Sequence, residues 1–296
     1  MEQGIIDITA KEVFSPASGS GINFLQIHAG NGRAQEVDGG VFIPYFDKKV
    51  AELEQKIAEG KMQERDWKCR YDGYSWGGSR FVEGAERVLS LAIGPTSYGE
   101  WKEDYNRSKE EAEKLQKRGE KHHENKGLFL SRGLGAAVLL FTPEQNLVVG
   151  VRKSTDYDGA VHGAAGWLTF NKNIQEINPV NDAYREVKEE LGIGREDVAT
   201  LDLVGLVSYP KTLEADLVYF ARLNDSKPLA YFTSGAWKDA VDAREHRELI
   251  ILENPNQVMR LIKEGEAPHD SKHYEVIAST AYGLEILAEC WEKITK

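Results

Sequence analysis

Short apolar runs separated by turn residues dominate the chain from about residue 127 onward. Leu134–Phe141 has the pattern of a buried strand, and a five-residue turn leads to a second strand at Leu147–Arg152. The two strands predict a hairpin, because a short polar turn joins them. Further elements are predicted as strands at Leu201–Val207, Asp216–Leu223 and Leu249–Leu252, helices at Asn256–Lys263 and Ala278–Ile294, and a glycine-rich loop at Gly159–Gly166.

Apolar residues follow a less regular pattern in the N-terminal part. Val50, Leu53 and Ile57 recur at spacings of three and four, so Lys48–Met62 is predicted to be a helix. Tyr71–Phe81 is rich in glycine and aromatic residues, which indicates either an ordered loop or a hairpin. Strands are predicted at Ile22–Ile27 and Val88–Gly94.

A strongly charged segment, Trp101–Lys121, lies between these two parts. It is predicted to be one helix, and it has no clear apolar face after Leu115. This composition favours a solvated helix that bridges two domains over a binding arm. His122 and His123 near its end are interpreted as surface residues, because no other metal ligand accompanies them.

The order of elements predicts an α+β protein of two domains. Residues 1–127 are expected to form a smaller α+β domain, and residues 128–296 a sandwich with helices on both sides of a mixed sheet. The length of 296 residues allows two modest domains, and a hydrophobic content of 41% is enough for a core.

Charge and cysteine content limit the binding partners and the cellular location that the sequence predicts. The formal net charge is −11 and there is no long basic run, so neither nucleic acid nor an acidic membrane surface is an expected partner. Cys69 and Cys290 have no metal-ligand spacing and are expected to be reduced thiols. With no signal-peptide pattern and no uninterrupted apolar span, the expectation is a soluble cytoplasmic protein.

The clearest local signals surround Arg185–Ile193. Asn178 and Pro179 are typical of a helix start, and Gly192 is typical of a helix end. Three apolar residues recur every four positions and predict the buried stripe of this helix. They are Ala183, Val187 and Leu191.

Three glutamates crowd another face of the same helix. Glu186, Glu189 and Glu190 stand at i, i+3 and i+4, so their like charges repel one another. Helix stability does not require this arrangement. A hard divalent cation such as Mg²⁺ or Mn²⁺ would offset the repulsion, because these ions prefer oxygen ligands. The alternative is an ordinary solvated, charged helix.

The stretch Arg185–Ile193 resembles the second half of the Nudix box, the signature of the Nudix hydrolases, at every fixed position. The resemblance implies hydrolysis of a nucleoside diphosphate linked to another group, assisted by Mg²⁺ or Mn²⁺. It implies that Glu189 and Glu190 bind metal, that Glu186 binds metal or deprotonates water, and that Arg185 orients the glutamates. Gly166 matches the glycine that opens the box, whose carbonyl group faces the metal.

The first half of the box departs from the family pattern. Five residues too many separate Gly166 from Arg185, which indicates a longer loop at Asn171–Ile177. Glu176 is the nearest glutamate, and its role as the partner of Arg185 is therefore in doubt. Family members often use a further acidic residue downstream. The candidates are Glu214, Glu245 and Glu248, of which Glu245 is preferred, and Arg152, Lys153 and His162 are candidates for binding phosphate or sugar.

A weaker resemblance bears on the substrate. The layout of Leu91–Tyr98, a linker and Leu134–Val138 is similar to that of two-domain Nudix proteins that act on UDP-sugars. It implies a nucleotide sugar of the UDP-sugar or ADP-ribose type, and a homodimer is possible. Tyr71, Tyr74 and Trp76 would then suit a loop that covers a sugar. Two alternatives stay open: a catalytically inactive nucleotide sensor of Nudix fold, and an interaction protein that works through its charged helix.

Overall fold

The computed structural model describes residues 24–30, 33–37, 41–44, 46–77, 88–153, 157–209, 213–268 and 272–294. The strands within these ranges are β1 (Phe24–Ala29), β2 (Ala34–Val37), β3 (Val41–Pro44), β4 (Trp67–Gly77), β5 (Val88–Ser97), β6 (Leu134–Phe141), β7 (Leu147–Arg152), β8 (Val161–His162), β9 (Ala164–Trp167), β10 (Val198–Ser208), β11 (Ala215–Leu223) and β12 (His246–Leu252). The helices are α1 (Phe46–Ala58), α2 (Tyr98–Asn106), α3 (Lys109–His123), α4 (Pro179–Leu191), α5 (Leu229–Thr233), α6 (Pro255–Glu264) and α7 (Ala278–Ile294).

A mixed sheet of seven strands forms the centre of the C-terminal part. Its path runs β10-β11-β6-β7-β12, with β8 paired to β7 and β9 paired to β6. β11 and β6 are parallel, and the other pairs are antiparallel. Every residue of β6 is buried, as expected for a strand in the middle of a covered sheet.

Two hydrophobic clusters cover the two faces of this sheet. Successive side chains of a strand point to opposite faces, and β6 follows this rule. Val138 and Leu140 belong to the cluster that includes α4, whereas Leu139 and Phe141 belong to the cluster that includes α7. The expected α/β/α sandwich around a mixed sheet is confirmed.

The N-terminal elements form a three-stranded sheet of order β1-β5-β4. β4 also reaches the central unit, since the Cys69 amide donates to the Leu168 carbonyl and the Tyr71 amide donates to that of Arg132, both within 2.9 Å. Leu53 and Ile93 share one core cluster with residues of the central sheet. This shared core fixes the N-terminal elements against the sandwich, and the domain boundary at residues 127 and 128 stays a prediction.

The helix α4 begins and ends where the sequence signals lie. The Asn178 side chain accepts a hydrogen bond from the Val180 amide at 3.0 Å, and Pro179 occupies the first turn. Gly192 ends the helix at a φ of 66°, in the left-handed region where a side chain is unfavourable. The predicted apolar stripe is buried, which fixes the rotation of the helix about its axis.

The charged segment Trp101–Lys121 is not the single solvated helix that its composition predicts. It divides into α2 and α3, because the Ser108 side chain accepts from the Glu111 amide at 3.2 Å and caps a second helix. Trp101 and Asp104 of α2 are buried, and the Asp104 carboxylate accepts from the Ser131 amide at 2.6 Å. The isolated helix pattern could not reveal this burial, because the covering residues come from elsewhere.

The prediction of a loop at Gly159–Gly166 is also wrong. These residues contain β8 and most of β9, which complete the central sheet. Their small side chains suit a crowded interior and not a mobile loop. For Tyr71–Phe81 the hairpin alternative is confirmed as far as Gly77, since β4 pairs antiparallel with β5. Residues 78–87 lie outside the described residues.

The other predicted elements are present with shifted ends. The strand predicted at Ile22–Ile27 corresponds to β1, and the first two predicted residues, 22 and 23, lie outside the described part. The helix predicted at Lys48–Met62 corresponds to α1, which ends at Ala58. None of the helices in the described ranges has the length and apolar character needed to cross a membrane.

Candidate active site

A cavity of about 670 Å³ opens beside α4 and β9. Both halves of the chain contribute to its wall. The C-terminal half supplies Gly166, Glu186 and Glu245, and the N-terminal half supplies Lys68, Tyr98 and Trp101. The helix α4 therefore faces, through Glu186, a space large enough for a small-molecule ligand.

Arg185 holds one side of the glutamate cluster. Its guanidinium lies 2.7 Å from a Glu186 oxygen, 3.0 Å from a Glu189 oxygen and 2.9 Å from an Asp182 oxygen. It also donates to the Trp167 carbonyl at 3.2 Å. The same guanidinium thus connects two glutamates of α4 to the backbone of β9.

Glu186 is the carboxylate that faces the cavity from the buried side of α4. Burial raises its pKa to about 7, Arg185 opposes the rise, and the negative charges of Glu190 and Glu189 add to it. The side chain lies against Gly166, where an added Cβ would stand 2.2 Å from a Glu186 oxygen. A side chain at position 166 would displace this carboxylate from its present position.

Glu190 is anchored more firmly than the other two glutamates. Its carboxylate accepts from the Ala165 amide at 3.1 Å and lies 2.6 Å from Nε2 of His246. Both His246 and Glu190 are almost completely buried. Glu189 is different, since its side chain is 37% exposed and contacts Arg185. The three glutamates therefore share a helix face but occupy three different environments.

The structure separates the three downstream acidic candidates. Glu245 lines the cavity, and burial followed by the charge of Glu190 raises its pKa, against the lowering effect of Arg152. Glu214 also lines the cavity and accepts a hydrogen bond from Nε1 of Trp101. Glu248 instead accepts from Lys272 at 2.9 Å and is not among the residues of the cavity wall.

All three basic candidates line the cavity. Arg152 lies 3.1 Å from Nδ1 of His162 and 3.3 Å from a Glu245 oxygen. Burial lowers the pKa of His162 well below its ordinary value, and the charges of Arg152 and His246 lower it further. His162 is therefore neutral near pH 7, and the positive charge at this wall comes from Arg152 and Lys153.

Glu176 does not contact Arg185. Its carboxylate accepts from the side chains of Asn171 and Asn173, each at 2.7 Å, inside the lengthened loop. Asp182, one turn before Arg185 on α4, takes the position of the acidic partner. The extra residues before the helix thus displace the glutamate of the first half-motif, and a residue of the helix replaces it.

Several cavity residues carry no sequence signal of their own. Lys68 reaches the cavity from β4, and Asp216 lies at the start of β11, where burial raises its pKa. The Tyr209 hydroxyl donates to Asp216 at 2.7 Å. An added Cβ at Gly135 would stand 2.3 Å from an Asp216 oxygen. A charged residue at the start of an apolar strand is the only hint that the sequence offers.

The donors around α4 suit a hard divalent cation in kind, because they are carboxylate oxygens and a backbone carbonyl. Burial is the main cause of the raised pKa of Glu186, and the charges of Glu190 and Glu189 add to it, so a bound cation would favour the charged form of this carboxyl group. Among the residues that the structure describes, no three His, Cys, Asp or Glu side chains are grouped closely enough to hold a metal ion. In this arrangement the Glu186 and Glu189 carboxylates are paired with Arg185.

Gly166→Ala tests the close contact between β9 and α4. We expect it to displace the Glu186 carboxylate and to lower any activity of the site by about 10- to 100-fold, the scale for loss of a residue that orients metal ligands. Ala165→Gly, at the neighbouring position, is the matched control. Circular dichroism checks the fold of both variants. If Gly166→Ala is as active as Ala165→Gly and the unaltered chain, the contact has no functional role.

The structure of this chain is similar, over about half of its length, to several solved structures, of which three are described. No family model and no curated protein matches the chain. A MutT/nudix family protein from Enterococcus faecalis is 14% identical over 55% of this chain and 61% of its own, with a TM-score of 0.34. The NUDIX domain of Shewanella oneidensis NrtR, complexed with ADP ribose, is 10% identical over 54% and 88%, with a TM-score of 0.36. An Ap4A hydrolase from C. elegans is 15% identical over 54% and 97%, with a TM-score of 0.35.

The first of these matches covers less than two thirds of the Enterococcus protein. The first two proteins are described as members of the Nudix family, whose signature Arg185–Ile193 resembles.

Proposed function

We propose that the chain hydrolyses the diphosphate bond of a nucleoside diphosphate linked to another group, with help from a divalent metal ion. The observation that carries the proposal is the contact of Arg185 with Glu186 and Glu189, because Glu186 also lines a cavity whose wall contains Lys68 and Arg152. Carboxylates suit the metal, and the cationic side chains suit the phosphates.

The reaction joins a water oxygen to one phosphorus while the bridging phosphorus–oxygen bond breaks, which leaves two phosphate monoesters. A bound Mg²⁺ or Mn²⁺ would neutralise phosphate oxygens and make a coordinated water more acidic. We assign its ligands to Glu186, Glu189, Glu190 and the Gly166 carbonyl.

The remaining residues bind, orient and move protons. Arg185 holds Glu186 and Glu189 in place, and Lys68, Arg152 and Lys153 bind phosphate oxygens. Glu245 is proposed to accept the proton of the attacking water, because it lines the cavity and burial raises its pKa above that of an ordinary glutamate. His246 keeps Glu190 oriented from behind.

For the substrate we propose a nucleotide sugar of the UDP-sugar or ADP-ribose type. The support is the combination of cationic and aromatic residues in a cavity of about 670 Å³, a size typical of small-molecule sites. A homodimer, a cytoplasmic location and the lack of a nucleic-acid partner stay predictions from the sequence.

The alternative is a Nudix-fold sensor that binds a nucleotide without cleaving it. A specific observation favours it: Glu190 is already occupied by His246 and the Ala165 amide, and no three-ligand site is assembled among the described residues. The intact glutamate cluster favours the enzyme, since loss of catalysis usually accompanies loss of these carboxylates.

A substrate screen distinguishes the two functions. Nucleoside diphosphate sugars, dinucleotides and nucleoside triphosphates are incubated with the protein and Mg²⁺ or Mn²⁺, and phosphomonoester products are detected with a coupled phosphatase. We expect turnover of a nucleotide sugar that disappears with a chelator. If no compound is cleaved but one raises the melting temperature, the sensor function is correct. If none is cleaved or bound, the charged surface of α3 becomes the functional candidate.

A further inference from the structure

Three aromatic residues meet at one side of the cavity. Tyr98 and Trp101 come from α2, and Trp167 comes from β9, next to Gly166. Their ring centroids lie 5.4 Å apart for Tyr98–Trp101, 5.1 Å for Trp101–Trp167 and 6.2 Å for Tyr98–Trp167. We call these three residues the aromatic wall. All three line the cavity, so the N-terminal segment supplies two of the three rings.

The aromatic wall is held rigidly from behind. Trp101 is only 5% exposed, Tyr105 stacks on its ring at 4.9 Å, and its Nε1 donates to Glu214. In contrast, Tyr98 is 46% exposed. An exposed aromatic ring on a fixed support offers a planar surface to a ligand with little loss of side-chain freedom.

Trp167 links the aromatic wall to the glutamate cluster. Its ring packs edge-on against Trp101 at an angle of 84°, while its backbone carbonyl accepts from Arg185 at 3.2 Å. A flat group beside the wall is therefore close to Gly166 and Glu186 along the same cavity. A nucleotide has this construction, with a flat base at one end and phosphates at the other.

Charge distinguishes the two ends of such a ligand. Glu214 is buried in the wall next to Trp101, and its carboxylate repels phosphate but accepts hydrogen bonds from N–H groups. Every nucleobase has N–H donors on its edge and two π faces. A phosphate has neither property, and a sugar has hydroxyl donors but no π face, so the aromatic wall and Glu214 together suit the base.

We propose that the aromatic wall is a nucleobase subsite, in which the base stacks on Tyr98 and donates to Glu214. The proposal rests on the proposed function, because it directs the diphosphate of the same ligand towards Glu186. It also gives the N-terminal segment a role in substrate recognition. The sequence pointed instead to Tyr71, Tyr74 and Trp76, but Tyr71 is buried in the core, Tyr74 is not part of the cavity wall, and the Trp76 side chain lies outside the described part.

Equilibrium binding tests the subsite without any need for hydrolysis. Isothermal titration calorimetry compares AMP, GMP, CMP and UMP with ribose 5-phosphate, which has the same phosphate and sugar but no base. We expect at least one nucleotide to bind roughly tenfold or more tightly than ribose 5-phosphate, because stacking of one base on an aromatic side chain has this effect.

Three variants separate stacking from general damage. Tyr98→Ala should remove about tenfold of the affinity for the nucleotide and leave that for ribose 5-phosphate unchanged, whereas Tyr98→Phe should retain both. Tyr74→Ala removes another exposed tyrosine, 37% accessible and outside the cavity wall, and should change neither. Melting temperatures confirm that each variant is folded.

Two results would overturn the subsite: ribose 5-phosphate binding as tightly as all four nucleotides, or Tyr98→Ala behaving like Tyr74→Ala. Failure of the hydrolase is a separate outcome. Base-dependent binding without turnover in the screen supports the subsite and rejects the enzyme. Turnover without base-dependent binding supports the enzyme and rejects the subsite.

Discussion

Glu189→Gln is expected to lower Mg²⁺-dependent hydrolysis by roughly 10²- to 10³-fold, the scale at which loss of one charge-stabilising group slows an enzyme. The substitution keeps the size of the side chain and removes its negative charge. Glu189 is the most exposed of the three glutamates, so the amide can be hydrated and the fold should be unchanged. The loss should appear in kcat, because the metal acts on the reacting phosphate and water.

Glu176→Gln is the matched control for this experiment. It makes the same chemical change at the glutamate that is nearest to the first half of the motif. The Glu176 carboxylate accepts hydrogen bonds from Asn171 and Asn173. We expect its activity to equal that of the unaltered chain. Undiminished turnover in Glu189→Gln, or an equal loss in Glu176→Gln, would contradict the assignment of the metal site to α4.

The helix that carries the glutamates could be predicted because its signals are local. Asn178, Pro179 and Gly192 act on backbone groups within a few residues, and a capping side chain or a left-handed glycine works largely independently of the rest of the fold. The apolar period of α4 is equally local. Position, length and orientation of this element therefore follow from about fifteen consecutive residues.

The surroundings of the glutamates could not be predicted in the same way. His246 reaches Glu190 across 56 residues, because β12 pairs with β7 and brings His246 opposite Arg152. Trp101 reaches Glu214 across 113 residues. These contacts depend on strand order and register, which a single sequence does not specify. The same limit explains why the sequence predicts a solvent-exposed helix where α2 is partly buried.

The glycine-rich segment before the helix shows how composition can mislead. Small residues at 159–166 suggested a loop, yet β9 pairs with β6, and Gly166 is small because Glu186 lies against it. Close packing of the sheet against a buried carboxylate demands the same small residues that a turn demands. Only the position of α4 distinguishes the two cases.

Glu186→Gln is expected to stabilise the protein at pH 8 in the absence of divalent ions. The Glu186 pKa is about 7 in the folded chain, against 4.5 for an ordinary glutamate, so folding disfavours the charged form. Above pH 7 the carboxylate is ionised in both states, and the full cost of about 2–4 kcal/mol opposes folding. Below pH 4.5 it is protonated in both states and the cost vanishes. The free energy of unfolding of the unaltered chain therefore falls as the pH rises from about 4.5 to above 7.

Urea unfolding at pH 5 and pH 8 with a chelator measures this effect. The advantage of Glu186→Gln should be about 1 kcal/mol at pH 5 and about 2–4 kcal/mol at pH 8, because the variant has no proton to lose at this position. Glu176→Gln, at an exposed glutamate, should show no such dependence.

Mg²⁺ should then narrow the stability difference between Glu186→Gln and the unaltered chain at pH 8. A cation that binds the folded chain stabilises it and needs the Glu186 charge. A variant less stable than the unaltered chain at pH 8 would show that Arg185 outweighs burial. A gap unaffected by Mg²⁺ would remove Glu186 from the metal site.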